Sequence, residues 1–314
     1  MAEISILVPK DFFKEEVRCD YTISEKMKKV WAVELDLLYE LDRVCRKHHL
    51  RYFADSGTLI GAVRHKGFIP WDDDIDIVMF RKDYNILRDI AAKEFKYPIF
   101  LQNAYSDNRN TRGFSKLRNS STTTITMADT VKNYNFGIFI DIFPLDNVPD
   151  NKIAFEIWRR RVKLIKKLSD PGVYFTADHY KSPLKKACWF VSKTLVDLVG
   201  YKNVFKHFES VCSMYNRKRT KCVTYVAHSY GKKKHIWNRS CFAHLHRVPF
   251  EFMEINIPDG YDSRLRTEYG DYMKPAKAPT THQDIVIEPD IPYKEYLKLN
   301  SMKDIKNRFI LNYS

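Results

Sequence analysis

Apolar residues recur at helical spacing from Met27 through Val30, Trp31, Leu35, Leu38 and Leu41 to Val44, which predicts one long amphipathic helix. Ser24 stands where an N-cap is needed, and Arg46, Lys47, His48 and His49 suit the negative end of the helix dipole. Glu34 falls inside that apolar stripe, so it either sits at its edge or has a partner. Short apolar or alternating runs predict strands at residues 3–9, 51–54, 74–80, 99–102 and 135–145, and a hairpin over 112–127 turning near Asn119 and Ser120. Helical patterns fill 58–64 and 82–93. Beyond Asp150 the pattern becomes basic and helical, over 153–168 and 183–219. Strands and loops return over 224–257, followed by a short helix at 261–269 and a basic terminal helix at 294–312.

Composition narrows the class. With 44% hydrophobic and 29% charged residues over 314 positions, the chain has the make-up of a soluble globular protein with a real core. The net charge of +14 points to an anionic partner: a nucleotide, a phosphorylated polymer, a membrane surface or nucleic acid. The longest apolar run, 187–201, is broken by Lys193 and Asp197 and falls short of the roughly 20 residues of a membrane span. No apolar secretory segment opens the sequence, and the six cysteines at 19, 45, 188, 212, 222 and 241 form no C-x-x-C pair. Free thiols in a cytoplasmic protein are therefore expected, with the inner face of the membrane as a place of work.

The chemistry concentrates in Trp71-Asp72-Asp73-Asp74-Ile75-Asp76, four carboxylates in five positions that lead into an apolar strand. Such crowding is repulsive unless a cation neutralises it, and carboxylate oxygens suit magnesium or manganese. Period two places Asp74 and Asp76 on one strand face, where both can reach one ion. Before them stands Ser56-Gly57-Thr58 opening a short helix, whose amides favour anionic oxygens. After them comes Asp141 in an otherwise apolar strand, where an Asp must be paired or coordinating. A G-[ST] turn, a D-x-D strand and a later carboxylate occur in the order of the nucleotidyltransferase fold. The expected class is therefore α+β: a nucleotidyltransferase-like mixed sheet flanked by helices over 1–150, a basic helical insertion over 151–221, and a strand and loop region over 222–314 that packs on the core and contributes to the acceptor site.

The run at residues 52–80, YFADSGTLIGAVRHKGFIPWDDDIDIVMF, resembles the signature of the LicD family, related to the fukutin-type phosphotransferases. Lys116-Leu117-Arg118 with Ser121-Thr122-Thr123, the run GIFIDIFPLD at 137–146, and Tyr269-Gly270-Asp271-Tyr272 with His282 extend it. The resemblance covers roughly 24–282 and leaves the middle segment unmatched. It implies transfer of a phosphorylated alcohol, such as phosphocholine, from a CDP-alcohol to a glycan hydroxyl of lipopolysaccharide, capsule or teichoic acid. It implies Asp74, Asp76 and Asp141 as magnesium or manganese ligands, with Asp141 alternatively the base for the acceptor hydroxyl. Ser56, Gly57 and Thr58 would hold the diphosphate, Arg64, Lys116 and Arg118 would neutralise phosphate, and His282 would serve the acceptor site. Asp72 or Asp73 would support the metal through its bound water, or Asp73 would cap the turn.

Three other readings compete. A D-x-D glycosyltransferase would account for the apolar opening at 3–9, but the tyrosine–asparagine turn usual there is missing. A binding module for nucleic acid or anionic surfaces would use the excess charge, but no reader motif accompanies it, and no nucleic-acid partner is expected. Cys222, His228, His235, Cys241, His244 and His246 invite zinc, but their spacings fit no standard finger.

Overall fold

A computed structural model describes residues 2–107, 110–126, 129, 134–174, 180–276 and 285–311. A small hairpin of β1 (Glu16–Arg18) and β2 (Tyr21–Ile23) precedes α1 (Glu25–Lys47), whose N-cap Ser24 accepts a hydrogen bond from the Met27 amide. Then follow β3 (Phe53–Ala54), α2 (Ser56–Arg64), β4 (Asp76–Phe80), α3 (Arg81–Glu94), β5 (Ile99–Gln102), β6 (Ser115–Asn119), β7 (Thr123–Thr126) and β8 (Ile138–Val148). Three helices come next: α4 (Lys152–Tyr174), α5 (Pro183–Val199) and α6 (Tyr201–Cys212). The remainder comprises β9 (Cys222–Thr224), α7 (Val226–Ser229), β10 (Trp237–Asn238), β11 (Leu245–Phe250), β12 (Met253–Pro258), α8 (Tyr261–Tyr269), β13 (Ile285–Glu288), α9 (Tyr293–Leu299) and α10 (Met302–Leu311).

The central sheet is mixed and organised on β8. That strand pairs with β4 in parallel, with β6 antiparallel along its first half, and with β9 antiparallel near its end. β3 and β5 extend the sheet beyond β4 and β6. Alternation along the strands sorts its two faces. Ala54, Ile77, Leu117, Ile140 and Ile142 join the large core beneath the apolar stripe of α1. Phe53, Val78, Phe143 and Leu145 join a second cluster with Tyr225, Trp237 and Phe242. The expected α+β class is observed: a mixed sheet flanked by helices.

Several local expectations are corrected. Residues 3–9 form no strand: the Asp36 carboxylate accepts from the Ser5 and Ile6 amides and holds the segment as an extended arm. Asp74 lies in the loop before β4, so it does not share a strand face with Asp76. The hairpin over 112–127 does not form, because both edges of β6 are taken, by β5 and β8; β7 pairs with β13 instead. The helix expected over 183–219 is two, broken at Gly200 with φ +81°, and the terminal one divides at Asn300.

Candidate active site

Register makes the site. Asp76 lies opposite Asp141 across β4 and β8, and Asp141 lies opposite Lys116 across β8 and β6. Directly paired residues project to the same face, so two carboxylates and an ammonium form one row across three strands. Lys116 Nζ stands 2.8 Å from an Asp141 carboxylate oxygen and 3.1 Å from the centre of the Phe139 ring. Burial pulls the Lys116 pKa down to about 8, against the opposing pull of Asp141.

The carboxylates at 72–74 arrive from the loop before β4, and their ligand oxygens lie within 4.8 Å of one another. Trp31 fixes this loop: its indole N–H donates to the Asp72 carbonyl at 3.0 Å, and its ring stacks on Phe68 at 4.5 Å. Asp76 is held from two sides. Its amide donates to Thr58 Oγ1 at 2.8 Å, and its carbonyl accepts from the Asp55 amide at 2.9 Å. Burial, then Asp74, then Asp141, raise the Asp76 pKa well above the carboxylate range.

The turn at the start of α2 abuts this loop. Ser56 adopts a left-handed φ of +46°, an uncommon conformation for a residue with a side chain. A Cβ at position 57 would collide with an Asp72 carboxylate oxygen, so glycine lets the turn approach the acidic loop. Thr58 is buried, and its hydroxyl serves the Asp76 backbone. Of the other expected residues, Arg118 lies on the same face as Lys116, stacked over Phe139 at 4.9 Å and donating to Gln102 at 2.7 Å. Arg64 donates to the Tyr272 and Lys274 carbonyls, a commitment to the C-terminal segment. His282 lies outside the described residues.

Two groups lie at this site that the sequence did not assign to it. Glu34, 2% exposed on α1, lines a small cavity with Asp73, Ile138 and Phe139, and its Oε2 has no hydrogen-bond partner among the described residues. Burial, then Asp74 and Asp73, push its pKa well up. The signal was present as a charge within an apolar stripe. Buried Arg264 on α8 pairs with Asp55 and, at 3.1 Å, with Glu268, while its guanidinium lies 4.0 Å from the Trp237 ring centre. Nothing in the local pattern of 261–269 announced that role.

The donor set fits a hard divalent cation: crowded carboxylate oxygens, an orphaned buried oxygen on Glu34, and one ammonium, Lys116, paired to Asp141. The Cys/His residues at 222–246 form no such group among the described residues; His235 bonds Tyr225, and His246 bonds Asp259 at 2.7 Å. Cavities of about 620 and 660 Å³, both lined by Arg51, Phe80 and Arg239, lie at the far end of β4 from Asp76.

Residues 49–171 match the family model described as "LicD/FKTN/FKRP, nucleotidyltransferase domain". The lipopolysaccharide cholinephosphotransferase LicD of Haemophilus influenzae is 30% identical over 253 residues, covering 76% of this chain and 88% of that protein. An uncharacterized protein of Rickettsia prowazekii, RP689, is 36% identical over 72 residues, 22% of this chain and 27% of its own length.

Proposed function

We propose, for a chain that belongs to the LicD family, the transfer of a phosphorylated alcohol from a CDP-alcohol, CDP-choline or a close analogue, to a hydroxyl of a cell-surface glycan such as lipopolysaccharide, capsule or teichoic acid. The observation that carries this reading is the in-register row of Asp76, Asp141 and Lys116, with the Asp72–Asp74 loop and the α2 turn beside it. Asp74, Asp76 and Asp141 would hold magnesium or manganese, with Asp72 and Asp73 in support. Such an ion, when bound, supplies positive charge against the donor diphosphate.

Each residue then has a distinct task. Ser56 and Gly57 place backbone at the donor phosphates, and Thr58 fixes Asp76. Lys116 adds positive charge on the Asp141 side. As the alternative to holding the ion, Asp141 would take the acceptor's proton as the hydroxyl oxygen bonds to the phosphorus bearing the alcohol. The phosphoanhydride bond breaks, and CMP leaves with the electron pair. This order of events differs from nucleotidyl transfer, which expels pyrophosphate.

The test is CMP release from a panel of CDP-alcohols with magnesium or manganese, read by mass spectrometry with glycan fragments as acceptors. CMP should appear together with a phosphoalcohol-bearing acceptor, and Asp76→Ala or Asp141→Ala should lower the rate by about a hundredfold or more. Consumption of a nucleotide sugar instead, or unchanged CMP release in both variants, would sink the proposal.

A further inference from the structure

The helices α4 and α5 turn apolar residues outward. Along α5, Leu184, Val191, Leu195 and Leu198 recur at helical spacing and are all exposed, Leu184 at 75% and Leu198 at 82%. The buried residues of α5, Ser192 and Val196, lie about a third of a turn round the helix from that stripe. α4 repeats the arrangement with Ile153, Ile157, Leu164 and Leu168. An exposed apolar stripe of this length marks an interaction surface.

Neither helix is loosely held. The Trp158 indole donates to the Val211 carbonyl at 2.7 Å, and the Gly172 amide donates to Ser192 Oγ at 2.8 Å, so α4 is tied to both α5 and α6. Glu209 of α6 in turn pairs with Arg81 at 3.2 Å. The outward stripes therefore belong to the folded state.

Charge selects the occupant. Residues 151–200 carry eleven Lys and Arg against four Asp and Glu, a net +7 that is half the excess of the whole chain. A second copy docked symmetrically would bring two such segments together, and like charges disfavour that. Anionic lipid headgroups complement the basic residues, while the stripes reach the acyl boundary, the pattern of a helix that lies on a membrane. No described helix is long and apolar enough to cross one. We propose that the outward face of α5, with that of α4, docks this protein on an anionic lipid bilayer.

The experiment is co-sedimentation of the full chain with vesicles of phosphatidylcholine alone or with roughly one quarter phosphatidylglycerol. Binding should be about tenfold stronger to the anionic vesicles and should weaken between about 0.1 M and about 0.5 M salt. The pair Leu195→Ser and Leu198→Ser should cost about tenfold or more in vesicle affinity, whereas Leu299→Ser, as exposed on α9 as Leu198 is on α5, should not. Light scattering and thermal melts accompany each variant. Equal binding by the double variant, no anionic preference, or a dimer that the double variant dissolves would overturn the proposal. The readout needs no turnover, so failure of the donor screen and failure of docking are separate results.

Discussion

Glu34 is a buried carboxylate with one oxygen that has no hydrogen-bond partner among the described residues, beside the acids at 72–74. Burial and these neighbours raise its pKa, as burial, Asp74 and Asp141 raise that of Asp76. The folded, metal-stripped protein therefore keeps protons on these groups at pH values where the unfolded chain has released them. Folded chains then bind more protons than unfolded ones, and stability falls as pH rises above the ordinary carboxylate range. Melts in chelator from about pH 5 to about pH 8 should show a falling midpoint. Glu34→Gln should flatten that slope and raise the midpoint at the upper end. An unchanged slope in the variant would remove Glu34 from the cluster. Beside it, Lys116→Met should lower CMP release by about tenfold or more while the protein stays folded, which circular dichroism checks. At this scale much was legible, since Asp76 and Asp141 stood out as charges in apolar strands and Lys116 belonged to the stretches that carry the family resemblance. That they share one row was not, because lateral register depends on which strands pair.

The turn at the head of α2 works as a unit in which each residue has a different duty. Ser56 takes the left-handed φ, Gly57 leaves room for Asp72, and Thr58 caps the Asp76 amide. Gly57→Ala should displace the Asp72 carboxylate and lower CMP release with little change in melting temperature. Thr58→Val should cost about 1–3 kcal/mol of stability by leaving the Asp76 amide unsatisfied, measured by denaturant titration. A stable Thr58→Val protein with full activity would show that the amide finds another partner. Long elements were legible from periodicity: α1 and β8 lie where their patterns put them. The failures were of partnership. β7 looked like the second arm of a hairpin because turn residues follow β6, yet the occupied edges of β6 sent it to β13, some 160 residues away.

Across the whole molecule, a buried ion pair joins the helical segment to the sheet. Arg81 at the start of α3 pairs with Asp146 of β8 at 2.6 Å and with Glu209 of α6 at 3.2 Å. Arg81→Leu would strand Asp146 and should cost about 3–5 kcal/mol, read as a drop in the denaturant midpoint. This junction was invisible in the sequence, where Arg81 reads as one more basic residue at a helix start. Because of it, the outward stripes of α4 and α5 stand in a fixed relation to the acid row. The row itself carries a further consequence for inheritance. A single inserted or deleted codon within β8 before Asp141 would shift an isoleucine, Ile140 or Ile142, into its place between Asp76 and Lys116. The same shift would turn a carboxylate toward the α1 core. Misalignment would thus destroy fold and chemistry together, so the strand that builds the sheet also proofreads the site.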